Sequence, residues 1–131
     1  MDFTFGKSYK LCSKKEIDRL FTEGNSSRQS PYLCKFLITN FRDDSSFKIA
    51  LSAPKRNYKL AVERNRIKRV SKEAIRLNKH ILESWLIENN KQLALFLVYQ
   101  GKKEIDFEFV NTKIEKLFNR IITELKDSTN D

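Results

Sequence analysis

The spacing of hydrophobic positions changes several times along this chain, and each change predicts a different structural element. Apolar residues three and four positions apart predict a short helix from about Lys14 to Thr22. This helix is expected to end at Gly24, because glycine readily adopts the left-handed conformation that closes many helices. The Ser-rich segment that follows, residues 25–31, is predicted to be a loop.

Three later segments have the composition of β-strands. Residues 32–39 form a nearly continuous apolar run, and residues 47–52 roughly alternate between apolar and polar positions. The turn between them contains the solvated acidic pair Asp43 and Asp44, so these two strands are predicted to pair antiparallel. Residues 92–99 are the most apolar segment, which predicts a central strand buried on both faces.

Two further helices complete the pattern. A long helix is predicted from about Ala61 to Ile81 or beyond, and an amphipathic helix follows near the C-terminus, where Asn111 could cap it. Residues 1–131 are therefore expected to form a single α+β domain. The predicted architecture is an α/β two-layer sandwich, in which three helices pack on a small mixed sheet of about four strands in the order α-β-β-(β)-α-β-α.

Composition narrows the function classes. The 131 residues are 40% hydrophobic, which is enough for one core. No run of about 18 apolar residues exists, and the N-terminus lacks the pattern of a secretory signal, so a cytoplasmic location without membrane contact is predicted. Cys12, Cys34 and His80 cannot supply the usual ligands of a zinc site, so no protein-bound metal or cofactor is expected.

The net charge of +9 is distributed very unevenly. Residues 1–54 contain nine Lys/Arg and six Asp/Glu, residues 55–79 contain ten and two, and residues 80–131 contain seven and nine. Nearly all of the excess therefore lies in the basic loop, residues 54–60, and in the first part of the long helix. Such a concentration of positive charge is typical of a protein that binds a polyanion.

At about 100° per residue, the long helix has an apolar and a cationic face. The apolar stripe, predicted to face the sheet, consists of Ile67, Val70, Ala74, Leu77 and Ile81. The cationic face holds Arg64, Asn65, Lys68, Arg69, Lys72, Arg76 and Lys79, with Ile75 among them. Arg66 and Glu73 lie at the edge of the stripe, so Arg66 is a candidate either to brace the helix on the sheet or to reach an anionic partner from a different side of the helix.

A run of charges is most often only a solvated helix face, but such faces usually mix both signs. Here cations recur every four residues at positions 64, 68, 72 and 76. Like charges at this spacing destabilise a helix by roughly a few tenths of a kcal/mol per pair, and an anionic partner would remove the repulsion. Asn65 lies among these cations and can exchange hydrogen bonds with a base or a ribose hydroxyl.

Residues 61–73, which read AVERNRIKRVSKE, resemble the motif A-V-x-R-N-R-x-K-R-x-x-R-E of the bacterial ribonuclease P protein component. Within the motif only Lys72 departs, since the family usually has Arg there. Residues 10–24 and 49–56 resemble further segments of the family, so that the resemblance extends over most of the chain. Residues 57–60 depart from the family pattern, in which Gly-Lys or Gly-Asn commonly precedes Ala-Val.

The resemblance implies an α/β sandwich with a left-handed β-α-β crossover through the basic helix. It also implies a ribonucleoprotein that removes the 5′ leader from precursor tRNA. In this family the RNA subunit is the catalyst and requires Mg²⁺, while the protein supplies no catalytic residue. The implied partners are ribonuclease P RNA and precursor tRNA, with no role for DNA or a membrane.

The implied site residues form two groups. The RNA-binding group is Lys55, Arg56, Arg64, Asn65, Arg66, Lys68, Arg69, Lys72 and Arg76. The cleft for the single-stranded leader is implied to contain Ile17, Phe21, Tyr32 and Phe36, where aromatic rings would stack on bases. Ile17 replaces an aromatic residue of the family's cleft. Packing in the core is an equally open role for Phe21, and packing is the expected role of Trp85.

Three other functions compete with this interpretation. A nuclease that acts without RNA would need clustered catalytic side chains, which the sequence does not show. A helix-turn-helix DNA-binding module would need a short helix and turn before Ala61, and it would leave the sheet unexplained. A ribosomal-type RNA-binding protein without a processing role shares the charge pattern but not the R-N-R-x-K-R motif.

Overall fold

The computed structural model describes residues 10–11, 14–41 and 43–129, and it confirms an α+β fold with three helices and a four-stranded mixed sheet. In chain order the elements are α1 (Lys14–Glu23), β1 (Asn25–Gln29), β2 (Tyr32–Thr39), β3 (Phe47–Ser52), α2 (Ala61–Glu88), β4 (Gln92–Tyr99) and α3 (Phe107–Thr129). None of the helices in the described part of the chain is both long and apolar enough to cross a membrane.

The segment predicted as a Ser-rich loop is a strand, so that prediction is wrong. β1 pairs antiparallel with β2 through residues 25–29, from Asn25 opposite Phe36 to Gln29 opposite Tyr32. Its sequence, Asn-Ser-Ser-Arg-Gln, is polar because β1 lies at the edge of the sheet, where most of its side chains remain exposed. An edge position therefore accepts residues that a central strand would not.

The predicted antiparallel pairing of β2 with β3 is also wrong. The strand order is β1-β2-β4-β3, with β4 antiparallel to β2 and parallel to β3. β4 is the most apolar strand, and the position between two partners removes most of its surface from water. The connection from β3 through α2 to β4 is a crossover between adjacent parallel strands, and its left-handed sense stays a prediction.

The two faces of the sheet are covered unequally. One face packs on α2 and α3 and forms the main core, whereas α1 covers only part of the other face through Leu20, Ile17 and neighbouring apolar residues. The prediction that β4 is buried on both faces therefore needs correction, because Phe96 and Val98 are only half-buried. α1 adds a partial layer to the predicted two-layer sandwich.

The buried face of α2 is turned by roughly 90° from the predicted stripe. Ile67 and Ala74 are buried as predicted, but Val70, Leu77 and Ile81 are only half-buried. Ile75 and Lys79, predicted among the exposed cations, are buried instead. The rotation arises because α2 packs against α3 as well as against the sheet. Trp85 is buried in this core, which confirms its predicted packing role.

Two predicted helix ends are corrected. Gly24 follows α1, but its φ is not positive, so it does not adopt the left-handed conformation that was predicted to close the helix. The φ of Gly101 is not positive either. Gly24 is required for close approach instead, since a methyl group there would collide with the carbonyl oxygen of Leu20. Asn111 does not cap α3: the helix begins at Phe107, and Asp106 Oδ2 accepts a hydrogen bond from the Phe109 amide at 3.1 Å.

Candidate nucleic-acid interface

The outward side of α2 presents a concentrated set of cations. Its shallow concavity is lined by Asn65, Lys68, Arg69, Lys72, Glu73 and Arg76. Asn65, Arg69 and Lys72 are exposed, while Lys68 and Arg76 are half-buried and keep their charged ends at the surface of the helix. The fold thus brings five of the nine predicted RNA-binding residues together in one depression. We call these five residues the cationic arc.

The structure corrects one of the two roles predicted for Arg66. Arg66 is exposed and does not brace the helix on the sheet. Arg64 makes contacts with the basic loop instead, because its Nη1 donates to the carbonyl oxygens of Tyr58 at 2.8 Å and Lys59 at 3.1 Å. One edge of the Arg64 guanidinium is therefore directed to the protein's own backbone, and Arg66 is better placed for an external partner.

Arg76 differs from the other members of the cationic arc because it is paired. Its Nε donates to Glu73 Oε2 at 3.0 Å, and its Nη2 donates to the other oxygen of the same carboxylate. The hydrogen bond from Arg76 lowers the pKa of Glu73, and the same bond raises the pKa of Arg76. An incoming phosphate would have to compete with Glu73 for Arg76, whereas at Lys68 no such ion pair is seen among the described residues.

Lys79 does not belong to the exposed surface. Lys79 is only 4% exposed, so the prediction that it belongs to the exposed cationic face is wrong. A long aliphatic stem allows lysine to occupy such a partly apolar site.

The basic loop extends the cationic surface beyond the start of α2. Lys55 and Arg56 are exposed, and they occupy a turn in which the amides of Asn57 and Tyr58 both donate to the Pro54 carbonyl at 3.1 Å. α2 begins directly after this loop, and Glu63 Oε1 accepts from the Leu60 amide at 3.3 Å. Both predicted RNA-binding residues of the loop therefore face solvent next to the first turn of the basic helix.

A second, aromatic surface lies on the other face of the sheet. Phe21 of α1 is 53% exposed and packs edge-to-face against Phe96 of β4, with ring centroids 5.2 Å apart. Ile17 is half-buried beside them in the small cluster under α1. Two of the four predicted leader-cleft residues, Ile17 and Phe21, thus share one partly open surface.

The other two predicted leader-cleft residues, Tyr32 and Phe36, are corrected. Both are fully buried, at 0% and 1% exposure, on the face that packs against α2 and α3. Tyr32 also shares a 2.6 Å hydrogen bond with Ser71 of α2. Side chains alternate between the two faces of a strand, and the even-numbered positions of β2 point into the main core. Neither ring is available to a single-stranded leader.

Sequence reasoning missed the residues that do occupy the open face. Lys35, Phe96 and Ala50 lie in one row across β2, β4 and β3, and Leu33 and Val98 lie in the next row. The useful signal was Lys35, a charged residue in the middle of an apolar strand. Because Lys35 is charged, the odd-numbered positions of β2 are expected to lie on its exposed face. Tyr32 and Phe36 have even numbers, so they are expected on the opposite, buried face.

The described residues offer little for metal or nucleophilic chemistry. Among residues 10–11, 14–41 and 43–129, no group of three or more His, Cys, Asp or Glu is arranged to hold a metal ion. Burial raises the pKa of the Cys34 thiol, so it stays protonated and unreactive at neutral pH. Cys12 lies outside the described residues, and His80 is exposed on α2.

Comparison with known proteins gives a consistent result. A family model described as Ribonuclease P matches residues 5–122. The ribonuclease P protein component of Porphyromonas gingivalis is 31% identical over 120 residues, covering 90% of this chain and 88% of that protein. The corresponding protein of Pseudoalteromonas translucida is 30% identical over 120 residues, covering 92% of this chain and 79% of that protein.

Solved structures support the same fold. The RNase P protein of Staphylococcus aureus superimposes with a TM-score of 0.67 at 20% identity, covering 88% of this chain and 96% of that one. The RNase P protein from Thermotoga maritima gives a TM-score of 0.68 at 20% identity, with coverage of 85% and 96%. At this level of identity the structures are similar in fold.

Proposed function

The chain belongs to the ribonuclease P protein family, and on that premise we propose that the cationic arc of α2 binds the RNA subunit of the enzyme. The chain is the protein subunit of ribonuclease P, an endoribonuclease that matures the 5′ ends of tRNAs. A ribosomal-type RNA-binding protein is not favoured. The cationic arc is assigned to the RNA subunit, and the aromatic surface under α1 is assigned to the 5′ leader of precursor tRNA.

The observation that carries the proposal is the concavity on α2. Asn65, Lys68, Arg69 and Lys72 line it together, and the chain's charge excess is concentrated around them. Arginine offers a planar fork that matches phosphate and base edges, and lysine supplies a mobile positive charge. Arg66, Lys55 and Arg56 are also exposed, and we assign them to contacts with the same RNA.

The aromatic surface under α1 is the proposed contact for the 5′ leader of precursor tRNA. Phe21 and Phe96 present ring surface on which unpaired bases can stack, and Lys35 lies beside Phe96 in the sheet. Stacking on aromatic rings together with a nearby cation is the usual way to hold a single strand without reading its sequence. Ile17 contributes apolar contact at the edge of this surface.

Catalysis is assigned to the RNA subunit, which requires Mg²⁺. The protein's own contribution is then to bind the RNA, neutralise phosphates and align the leader. The cations along α2 and the aromatic pair under α1 supply the chemistry that these three tasks need. A cytoplasmic location, with neither DNA nor a membrane as partner, accompanies this role.

The test of the proposal is binding selectivity. The affinity of the full chain for a bacterial ribonuclease P RNA is compared with its affinity for an unrelated structured RNA of equal length at the same salt concentration. We expect the ribonuclease P RNA to bind more tightly. Equal affinities would mean that the arc is a general polyanion surface, as in the ribosomal-type alternative.

A further inference from the structure

The basic loop is fixed to the fold through one buried side chain. Within residues 54–60, all of which the structure describes, only Tyr58 is buried, at 2% exposure. Its neighbours Lys55, Arg56 and Lys59 are exposed. The loop therefore carries three exposed cations, and Tyr58 is its one side chain inserted into the core.

Tyr58 belongs to a row of three tyrosine rings in tilted and edge-to-face contact, which links the loop to the sheet and to α2. Its ring centroid is 5.7 Å from that of Tyr99, which in turn is 5.3 Å from that of Tyr32. The Tyr58 hydroxyl donates to the carbonyl oxygen of Gly101. Tyr32 continues the connection to Ser71, at the centre of the basic part of α2. Both ends of the Tyr58 side chain are thus held.

Arg64 fixes the same loop from the side of the helix. Its Nη1 lies within hydrogen-bond distance of two successive loop carbonyls, those of Tyr58 and Lys59. A hydrogen bond from a charged donor is stronger than one from a neutral donor, so these contacts orient the loop backbone on the first turn of α2. The side chains of Tyr58 and Arg64 thus both tie the same short segment to the rest of the fold.

A loop that is already ordered binds with less entropic cost than one that must be ordered on binding. Each loop residue whose backbone is already fixed before binding reduces this entropic cost. Lys55 and Arg56 lie in the turn that the amide of Tyr58 closes on Pro54, so their positions relative to Lys68 depend on how Tyr58 is held.

From these contacts we propose that Tyr58 and Arg64 hold the basic loop in a fixed conformation, which positions Lys55 and Arg56 on the RNA subunit. We call this pair of side chains the latch. Tyr58 is a positioning residue, which touches no RNA and acts through Lys55 and Arg56 of its loop. Arg64 acts at least as much through the loop backbone as through its charge. The inference rests on the proposed RNA-binding function and deepens it.

The experiment is a double-mutant cycle with the full chain and a bacterial ribonuclease P RNA, read as the slope of log affinity against log salt. Replacing Lys55 and Arg56 together by Ala is expected to lower the slope by up to about two units, if each neutralises one phosphate. Tyr58→Leu removes no charge, yet it is expected to lower the slope nearly as much. In the Tyr58→Leu background, the double alanine change is expected to have little further effect.

Two variants serve as controls for stability and charge. Tyr99→Phe removes a hydroxyl group from the same row of tyrosine rings. This hydroxyl donates to the Lys102 carbonyl at 2.6 Å and not to the loop, so the salt slope should stay unchanged. Arg64→Lys keeps the positive charge but loses the planar fork, and should lower the slope as Tyr58→Leu does. If Tyr58→Leu fails to fold by circular dichroism, Tyr58→Phe, which loses only the bond to Gly101, replaces it in the cycle.

The outcomes separate the latch from the proposed function. If the unmodified chain does not bind the RNA, the proposed function fails. If it binds with a steep slope while Tyr58 substitution leaves the slope unchanged, or if the effects at Tyr58 and at the two cations simply add, only the latch is overturned. A slope that the double alanine change does not alter would also overturn it, because the loop would then lie away from the RNA.

Discussion

Individual side chains on α2 differ in how freely they can meet a partner. Arg64 bonds to the protein's own backbone and Arg76 bonds to Glu73, while Arg66 and Arg69 are exposed. Lys68 lines the concavity together with Arg69 and Arg76. A count of cations along the helix therefore overstates how many phosphates it can neutralise, and the contribution of each has to be measured separately.

Lys68→Ala tests the centre of the cationic arc. If Lys68 neutralises one RNA phosphate, the slope of log affinity against log salt should fall by up to about one unit. Lys116→Ala removes an exposed lysine from α3 and serves as the matched control. A slope that falls equally in both variants, or in neither, would place Lys68 outside the interface.

Phe21→Ala tests the aromatic surface. Loss of one stacked base should weaken binding of precursor tRNA by about 1–3 kcal/mol, while binding of mature tRNA, which has no leader, stays the same. Phe109→Ala is a close control, because Phe109 on α3 is also 53% exposed. Affinities are compared in the reconstituted complex. If both tRNAs lose affinity equally, Phe21 serves packing under α1.

Pairs of elements are joined by a few buried polar contacts whose partners are far apart in sequence. Tyr32 of β2 meets Ser71 of α2 at 2.6 Å, and Asn78 of α2 donates to Asn111 of α3 at 2.7 Å. Each contact fixes the rotation of α2 relative to a neighbour. The buried face of α2 differs from the face predicted by periodicity because these neighbours, and not the helix alone, decide what is covered.

Ser71→Ala tests the contact between α2 and the sheet. It leaves the buried Tyr32 hydroxyl without its partner and should lower the free energy of unfolding by about 1–3 kcal/mol. The double variant with Tyr32→Phe removes both partners and should regain much of that loss. Urea denaturation measures both, with exposed Ser84→Ala as the control on the same helix. Equal effects of Ser71→Ala and Ser84→Ala would contradict the buried bond.

The loop between β2 and β3 is organised around Asp43. Lys48 Nζ lies 2.9 Å from Asp43 Oδ2, and the Ser45 amide donates to Oδ1 at 3.0 Å. The hydrogen bond from Lys48, followed by those from Ser45, lowers the pKa of Asp43 from 3.8 to about 2. Because the folded pKa lies below the ordinary value, the stabilisation is present above about pH 4 and is lost as the pH falls towards 2.

Lys48→Met should therefore raise the pKa of Asp43 from about 2 towards 3.8. The carboxyl carbon shift of Asp43, followed by NMR between pH 1.5 and about 6, reports this change directly. A midpoint that Lys48→Met leaves unchanged would show that this ion pair does not form in solution.

Secondary structure was largely predictable from this sequence, and strand arrangement was not. The bounds of β2, β3 and β4 follow from local apolar runs, and each matches its prediction. β1 is missed because polar residues suffice at a sheet edge. The pairing of β4 between β2 and β3 depends on contacts across the whole chain, which local patterns do not contain.

The candidate site was likewise predictable from the sequence only in part. The cationic arc was predictable because its members lie within three turns of one helix, where periodicity determines their shared face. The aromatic surface under α1, which we propose binds the leader, combines α1 with β4. Its Phe96 is distant in sequence from Phe21. Tyr32 and Phe36 were misplaced because an almost continuous apolar run hides which side of the strand meets the helices.

At the scale of the whole molecule, the two proposed surfaces occupy different sides of one sheet. α2 lies with α3 on the main-core face, while Phe21 and Phe96 lie on the face partly covered by α1. On the proposed assignment, the protein would contact two RNA segments at once, the RNA subunit and the leader. Two contacts on one rigid body would then align the leader more effectively than either alone.

Reconstituted cleavage tests this account most directly. The full chain is combined with a bacterial ribonuclease P RNA and a 5′-labelled precursor tRNA at low magnesium concentration, where phosphate neutralisation by the protein matters most. We expect slow cleavage by the RNA alone, none by the protein alone, and faster release of the leader at the mature 5′ end when both are present. Cleavage by the protein without RNA, or no stimulation of the RNA by the protein, would contradict it.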